Sequence, residues 1–252
     1  MEARVIRRIL RDGGRVRTEE WRLPDALVAL VLAVFFAASV VGTFFQHAEK
    51  STAVSIDKVL PGSLLFVALL IGVAGFLTYR GASVPALLGL NRLGPRPVLG
   101  WVLGLVLTAF ALVGVANLFT AALLHGRTES QELVQLFHTA AQRGDGAALL
   151  KIFLAGAVLA PICEEFLFRG FFYAVGKRYL GPLASGFLTA LLFAAIHQSL
   201  TAFAGLFVLA VCLTLAYERT GSLLVPIGMH ALYNFTNLLV IWLQARGLLS
   251  LT

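Results

Sequence analysis

Long apolar runs recur along the chain at about 25–45, 62–79, 98–124, 147–175, 181–198, 201–217 and 222–244, parted by short polar turns. Each is near the roughly twenty residues a helix needs to cross a ~30 Å hydrocarbon core. The pattern predicts about seven transmembrane helices, hence an all-α, polytopic membrane bundle. Only Gln198, Ser199 and Leu200 part the fifth and sixth runs, which predicts a tight hairpin of short or tilted helices. The stretch from Gly126 to Gly146 is too polar for the membrane core, yet Leu133, Val134, Phe137, Ala140 and Ala141 recur at helical spacing. An amphipathic surface helix is expected there, begun by a capping box of Thr128 and Gln131. The first run lacks a small-residue cleavage site and reads as a retained span, not a signal peptide.

Composition supports a lipid solvent. The 252 residues are 59% hydrophobic and 13% charged, against roughly 25% charged for a soluble domain. We expect one transmembrane bundle over residues 25–252, preceded by a basic amphipathic cytoplasmic arm over residues 1–24. Much of the net charge of +7 sits in that arm, where Val5, Ile6, Ile9 and Leu10 form an apolar stripe between arginines. Anionic lipid headgroups are its expected partner. Nucleic acid is not, since no aromatic residue precedes Trp21 to stack on a base. Arg80, Arg92, Arg96, Lys177, Arg178 and Arg219 fall on the arm's side of the predicted spans, whereas Lys50, Lys58, Arg127, Arg143, Lys151 and Arg246 fall on the other. The excess places the N-terminus in the cytoplasm and the C-terminus outside. Sixteen arginines against four lysines point to a GC-rich genome, and the expected home is a bacterial inner membrane. Cys163 and Cys212 both lie in apolar segments, so no disulfide framework is indicated.

Against this apolar background a few polar residues stand out. Glu164, Glu165 and Arg169 sit in the fourth run, His197 ends the fifth, and His230 and Asn234 lie in the last. An ionisable group in hydrocarbon costs roughly 2.5–3.5 kcal/mol on insertion scales, so such a set needs partners and a task. Glu165 and Arg169 are i and i+4 with the acid first, the better order for a supporting ion pair. Glu164 is turned about 100° from Glu165 and is free to face elsewhere. Pro161 removes one backbone donor and can kink the helix, opening room for water. His230 and Asn234 are again i and i+4 and can present donors to one point. Taken singly, that pair fits interhelical glue. Taken with Glu164 and His197, it suits attack of water on a carbonyl: Glu164 and His197 hold and deprotonate the water, and His230 and Asn234 stabilise the oxyanion. Cys163 reads as a small buried hydrophobe, not a nucleophile.

These residues form EEFLFR at 164–169, FAAIH at 193–197 and HALYN at 230–234. Together they resemble the Glu-Glu-x-x-x-Arg, Phe-x-x-x-His and His-x-x-x-Asn motifs of the CAAX protease and bacteriocin-processing (Abi) family of intramembrane endopeptidases. The resemblance covers about 150–238, the expected catalytic core. It implies a glutamate-dependent peptidase acting on a membrane-anchored peptide or C-terminal tail, with Glu164 and His197 on the water, His230 and Asn234 at the oxyanion, and no cofactor or metal. Two rival readings are a catalytically silent scaffold or immunity factor and a zinc hydrolase using Glu164, His197 and His230. A transporter is disfavoured, since no inverted repeat relates the two halves and all the motifs lie in the second.

Depth is the one difficulty. Glu164 and His230 fall in mid-span, but His197 ends its own. For them to meet, the fifth span must tilt strongly, begin deeper, or turn back as a short broken helix, which is tolerated where protein walls a cavity.

Overall fold

The computed structural model describes residues 14–46, 59–125 and 132–249. Helices α1 (Leu23–Gln46) and α2 (Val59–Tyr79) come first, then the short α3 (Val84–Leu87). Next are α4 (Pro95–Leu123) and α5 (Glu132–Arg143). The central stretch changes helix type repeatedly. It comprises α6 (Gly146–Phe153), a π-helical turn (Leu154–Leu159), α7 (Ala160–Glu165), a second π-helical stretch (Phe166–Tyr173) and α8 (Ala174–Ile196). Helices α9 (Leu200–Thr220) and α10 (Leu224–Ala245) complete the bundle. No strand occurs among the described residues. In lipid this is the expected outcome, because a helix satisfies all its backbone groups within the segment.

Six stretches are long and apolar enough to cross a membrane, and one of them, Gly146–Ile196, has 51 residues. As a straight helix it would run roughly 75 Å, far beyond a ~30 Å core. It does not run straight. Gly181, at φ 81° and ψ 166°, breaks it just before Pro182, in a backbone region that is essentially restricted to glycine. The chain then folds back, so that Ser185 Oγ donates to the Tyr173 carbonyl at 2.9 Å. Two limbs result, matching the break expected between the fourth and fifth runs, and the bundle makes about seven passes. The integral membrane character is equally plain on the outside, where Leu27, Leu30, Leu64, Leu107, Leu118 and Phe119 are all exposed. A contiguous apolar exterior of this kind belongs against lipid.

Three apolar clusters fill the interior. Trp21, Phe36, Leu77, Phe168 and Phe171 belong to the first, Val102, Leu209, Leu213 and Met229 to the second, and Phe137, Ile152, Ala157 and Leu238 to the third. Helix α5 has the predicted amphipathic face, with Phe137, Ala140 and Ala141 buried. The capping box of Thr128 and Gln131, and the stripe of Val5, Ile6, Ile9 and Leu10, lie outside the described residues.

The described part of the N-terminal arm rests on protein. Arg15 N donates to the Glu218 carbonyl at 3.1 Å and Val16 N to Glu218 Oε2 at 3.2 Å. Arg92 Nη1 donates to the Arg15 carbonyl at 2.7 Å, and Trp21 is buried edge-on to Phe171. Asp25 and Arg80 pair at 2.7 Å where α1 and α2 meet that arm.

Candidate active site

Glu164 and Glu165 end α7, between the two π-helical stretches, and their environments differ sharply. Glu165 is fully buried. Arg169 Nη1 donates to Glu165 Oε1 at 2.7 Å, as the i,i+4 spacing predicted, and Arg169 Nη2 donates to the Ala210 carbonyl at 3.0 Å. The guanidinium is thereby tied to α9 as well as to its own helix. Glu165 Oε1 also accepts from His230 Nδ1 at 2.8 Å, which joins α10 to the pair. Glu164, one residue earlier, keeps 13% of its side chain exposed. Its carboxylate lies 3.8 Å from His230 Nε2, too far for a hydrogen bond but near enough for one water or carbonyl oxygen to touch both. His230 therefore stands between two carboxylates, bonded to one and facing the other.

His197 is placed by the hairpin. From the contact between Tyr173 and Ser185 the chain runs nine residues back to Glu164 and twelve forward to His197. The break at Gly181 starts a new limb, and the ring of Phe193 brings the far end of that limb to the site. Eight residues from the same contact on either limb stand Glu165 and Phe193. The Phe193 ring is fully buried and packs against Arg169 at 4.6 Å, His197 at 4.8 Å and His230 at 5.8 Å. His197 and Glu164 share no hydrogen bond or ion pair among the described residues. Instead His197 Nδ1 meets the Phe193 carbonyl at 2.7 Å. A carbonyl only accepts, so Nδ1 carries the proton and Nε2 of the neutral ring is left as an acceptor.

Asn234 differs from expectation in its partner. Its Nδ2 donates to the Gly156 carbonyl at 2.8 Å, whereas His230 bonds Glu165, so the two do not converge on one protein atom. The cause is local to the first π-helical turn. There the N–H of Ala160 bonds the carbonyl of Ala155, five residues back. In that register the donor to Gly156 would be residue 161, which is proline and has no N–H. Asn234 supplies the missing donor and keeps a second amide proton. The kink expected at Pro161 thus takes the form of π-helical winding, a feature that recurs at functional sites.

No group of three His, Cys, Asp or Glu residues is gathered closely enough to hold a metal ion among the described residues. Glu164, His197 and His230 do not fit a zinc set, and no step is assigned to one. What the site offers instead is a partly exposed carboxylate, two imidazoles and a carboxamide with a spare amide proton, beside the buried ring of Phe193.

Three contributors escaped the sequence reading. Phe193 appears only as a motif letter, the Gly156 carbonyl was not singled out, and nothing marks the Ala210 carbonyl. Of these, Gly156 had a signal, the proline five residues on.

Residues 146–236 match a family model described as Rce1-like, type II CAAX prenyl endopeptidase. That segment contains Glu164, Glu165, Arg169, His197, His230 and Asn234, and it agrees with the family named from the motifs. Over 87 residues the chain is 41% identical to an uncharacterized 24.3 kDa protein of Escherichia coli. The aligned part is 32% of this chain and spans only 38% of that relative. No solved structure matches the chain.

Proposed function

Because residues 146–236 match the Rce1-like CAAX endopeptidase family model, we propose that this chain hydrolyses a peptide bond in a membrane-anchored peptide or C-terminal tail. Its proposed setting is a bacterial inner membrane with the N-terminus in the cytoplasm. One observation carries the reading: of two adjacent carboxylates, Glu165 is sealed and bonded while Glu164 is accessible, unbonded and 3.8 Å from an imidazole nitrogen.

Water beside Glu164 gives a proton to its carboxylate as the oxygen attacks the scissile carbonyl carbon. His197 Nε2 accepts the other hydrogen bond of that water and orients it. The oxyanion takes donors from His230 Nε2–H and from the second amide proton of Asn234. Collapse breaks the C–N bond, and the proton held by Glu164 passes to the leaving amine. A donor at His230 Nε2 requires the doubly protonated ring, because Nδ1 already donates to Glu165. Its Nδ1–H is held by Glu165, which orients the ring much as a carboxylate orients a triad histidine.

The test is a comparison of membrane-protein termini in a strain lacking the protein, complemented with wild type or with Glu164→Gln. Substrates should accumulate uncut in the deletion strain and remain uncut with Glu164→Gln. Full restoration by Glu164→Gln would remove the hydrolytic reading and favour the silent scaffold.

A further inference from the structure

An apolar cleft of about 670 Å³ runs along the outside of the bundle between α4, α10 and the first π-helical turn. Pro95, Val98 and Leu99 form one wall, and Leu224, Ala231 and Phe235 the other. From Leu224 to Phe235 it extends eleven residues along α10, about 16 Å at helical rise. One leaflet of a ~30 Å hydrocarbon core is about 15 Å deep. The cleft is thus as long as a single leaflet, and its two ends differ in charge.

At the Pro95 and Leu224 end the surrounding elements are rich in arginine. Arg92 and Arg96 flank the start of α4, and Arg219 lies in the last turn of α9. The Arg219 guanidinium sits 5.0 Å over the ring of Trp101, one turn along α4 from the cleft residue Val98. Arg219 Nε and the hydroxyl of buried Ser222 have no hydrogen-bond partner among the described residues. Arg96 is exposed. The carboxylate nearest in sequence, Glu218, is already held by Lys177 and Tyr173, and no acidic residue lies between Asp57 and Glu129. Among the described residues this corner therefore has arginines with no carboxylate paired to them, near the end of a cleft of leaflet length.

We propose that the cleft binds an anionic phospholipid, with one acyl chain along α10 and the phosphate between Arg96 and Arg219. The apolar wall alone would not choose between lipids, since all tails are as apolar as the leucines. Selectivity comes from the phosphate, which arginine can bind in bidentate fashion. Inside the cleft, Ala157 adjoins Gly156, whose carbonyl holds Asn234, so a bound chain also buttresses that turn from outside.

Native mass spectrometry of the full chain in detergent, titrated with phosphatidylglycerol or phosphatidylcholine, tests this by lipid retention. Phosphatidylglycerol should be retained selectively. Arg96→Gln and Arg219→Gln should each weaken its binding about fivefold, Arg96→Lys should weaken it less, and Leu99→Trp should weaken it with both arginines intact. Should Arg219→Gln fail to fold, exposed Arg96→Gln decides the charge term alone. Equal retention of the two lipids, or phosphatidylglycerol binding indifferent to every variant, would overturn the proposal. So would a Leu99→Trp protein that binds phosphatidylglycerol normally but no longer cleaves substrate, because the cleft would then hold the substrate's apolar anchor.

Discussion

Besides the Asp25–Arg80 pair, two larger ionic clusters are buried among the described helices, one around Glu218 and one around Glu164 and Glu165, and of these two only the first is closed. Glu218 Oε1 accepts from the Tyr173 hydroxyl at 2.6 Å and Lys177 Nζ at 2.5 Å. Its Oε2 accepts from Val16 N, and Lys177 also donates to the Val16 carbonyl at 2.8 Å. Every carboxylate oxygen there has a partner, and the cluster ties the N-terminal arm to α8 and α9. At the other site Glu165 Oε2 is buried with no partner among the described residues, and Glu164 keeps part of its side chain exposed. Because an uncompensated charge in a membrane is expensive, closure is the expected state for a cluster that only holds helices together. A cluster left open beside an accessible carboxylate has somewhere to put a reactant.

The contrast makes unequal predictions. The largest effect is expected on stability at the closed cluster. Glu218→Gln removes the carboxylate that Lys177 and Tyr173 both bond, breaking a buried pair at about 3–5 kcal/mol, and should appear as loss of folded protein on size exclusion and a lower thermal midpoint. A variant as stable as wild type would show that closure there is incidental. Next comes the open cluster, where Asn234→Ala removes a donor worth ~2.7–4 kcal/mol in the transition state. The turnover number should drop by roughly 10²–10³ while KM stays within a few fold, and a change confined to KM would place Asn234 in binding only. The smallest effect belongs to the hairpin that carries His197. Gly181→Ala forces a Cβ into a backbone region that costs about 1–3 kcal/mol, so the thermal midpoint should fall modestly. An unchanged midpoint would mean that the hairpin tolerates another conformation at position 181.

Much of this was legible before any coordinates. Runs of apolar residues located the passes, the Gly181–Pro182 pair fell at the start of the fifth, and the i,i+4 spacing of Glu165 and Arg169 foretold their pairing. Those are local properties. What stayed hidden depends on distant partners. The bond from Asn234 to Gly156 arises from a carbonyl that Pro161 left without a donor, and π-helical winding has no sequence period of its own. Glu218 looks like an interfacial charge at the end of a span, because its partners at Val16, Tyr173 and Lys177 lie on other elements. His230 was expected to aim beside Asn234, yet a buried carboxylate on a different helix holds its Nδ1.

The most direct measurement sets turnover against stability for a single change, Glu164→Gln, in purified protein with a substrate found in the deletion strain. An open-cluster base predicts that turnover falls by roughly 10²–10⁴, with a thermal midpoint indistinguishable from wild type. Near-normal cleavage, or loss of the folded protein in place of its activity, would contradict the assignment of Glu164 as the group that activates water.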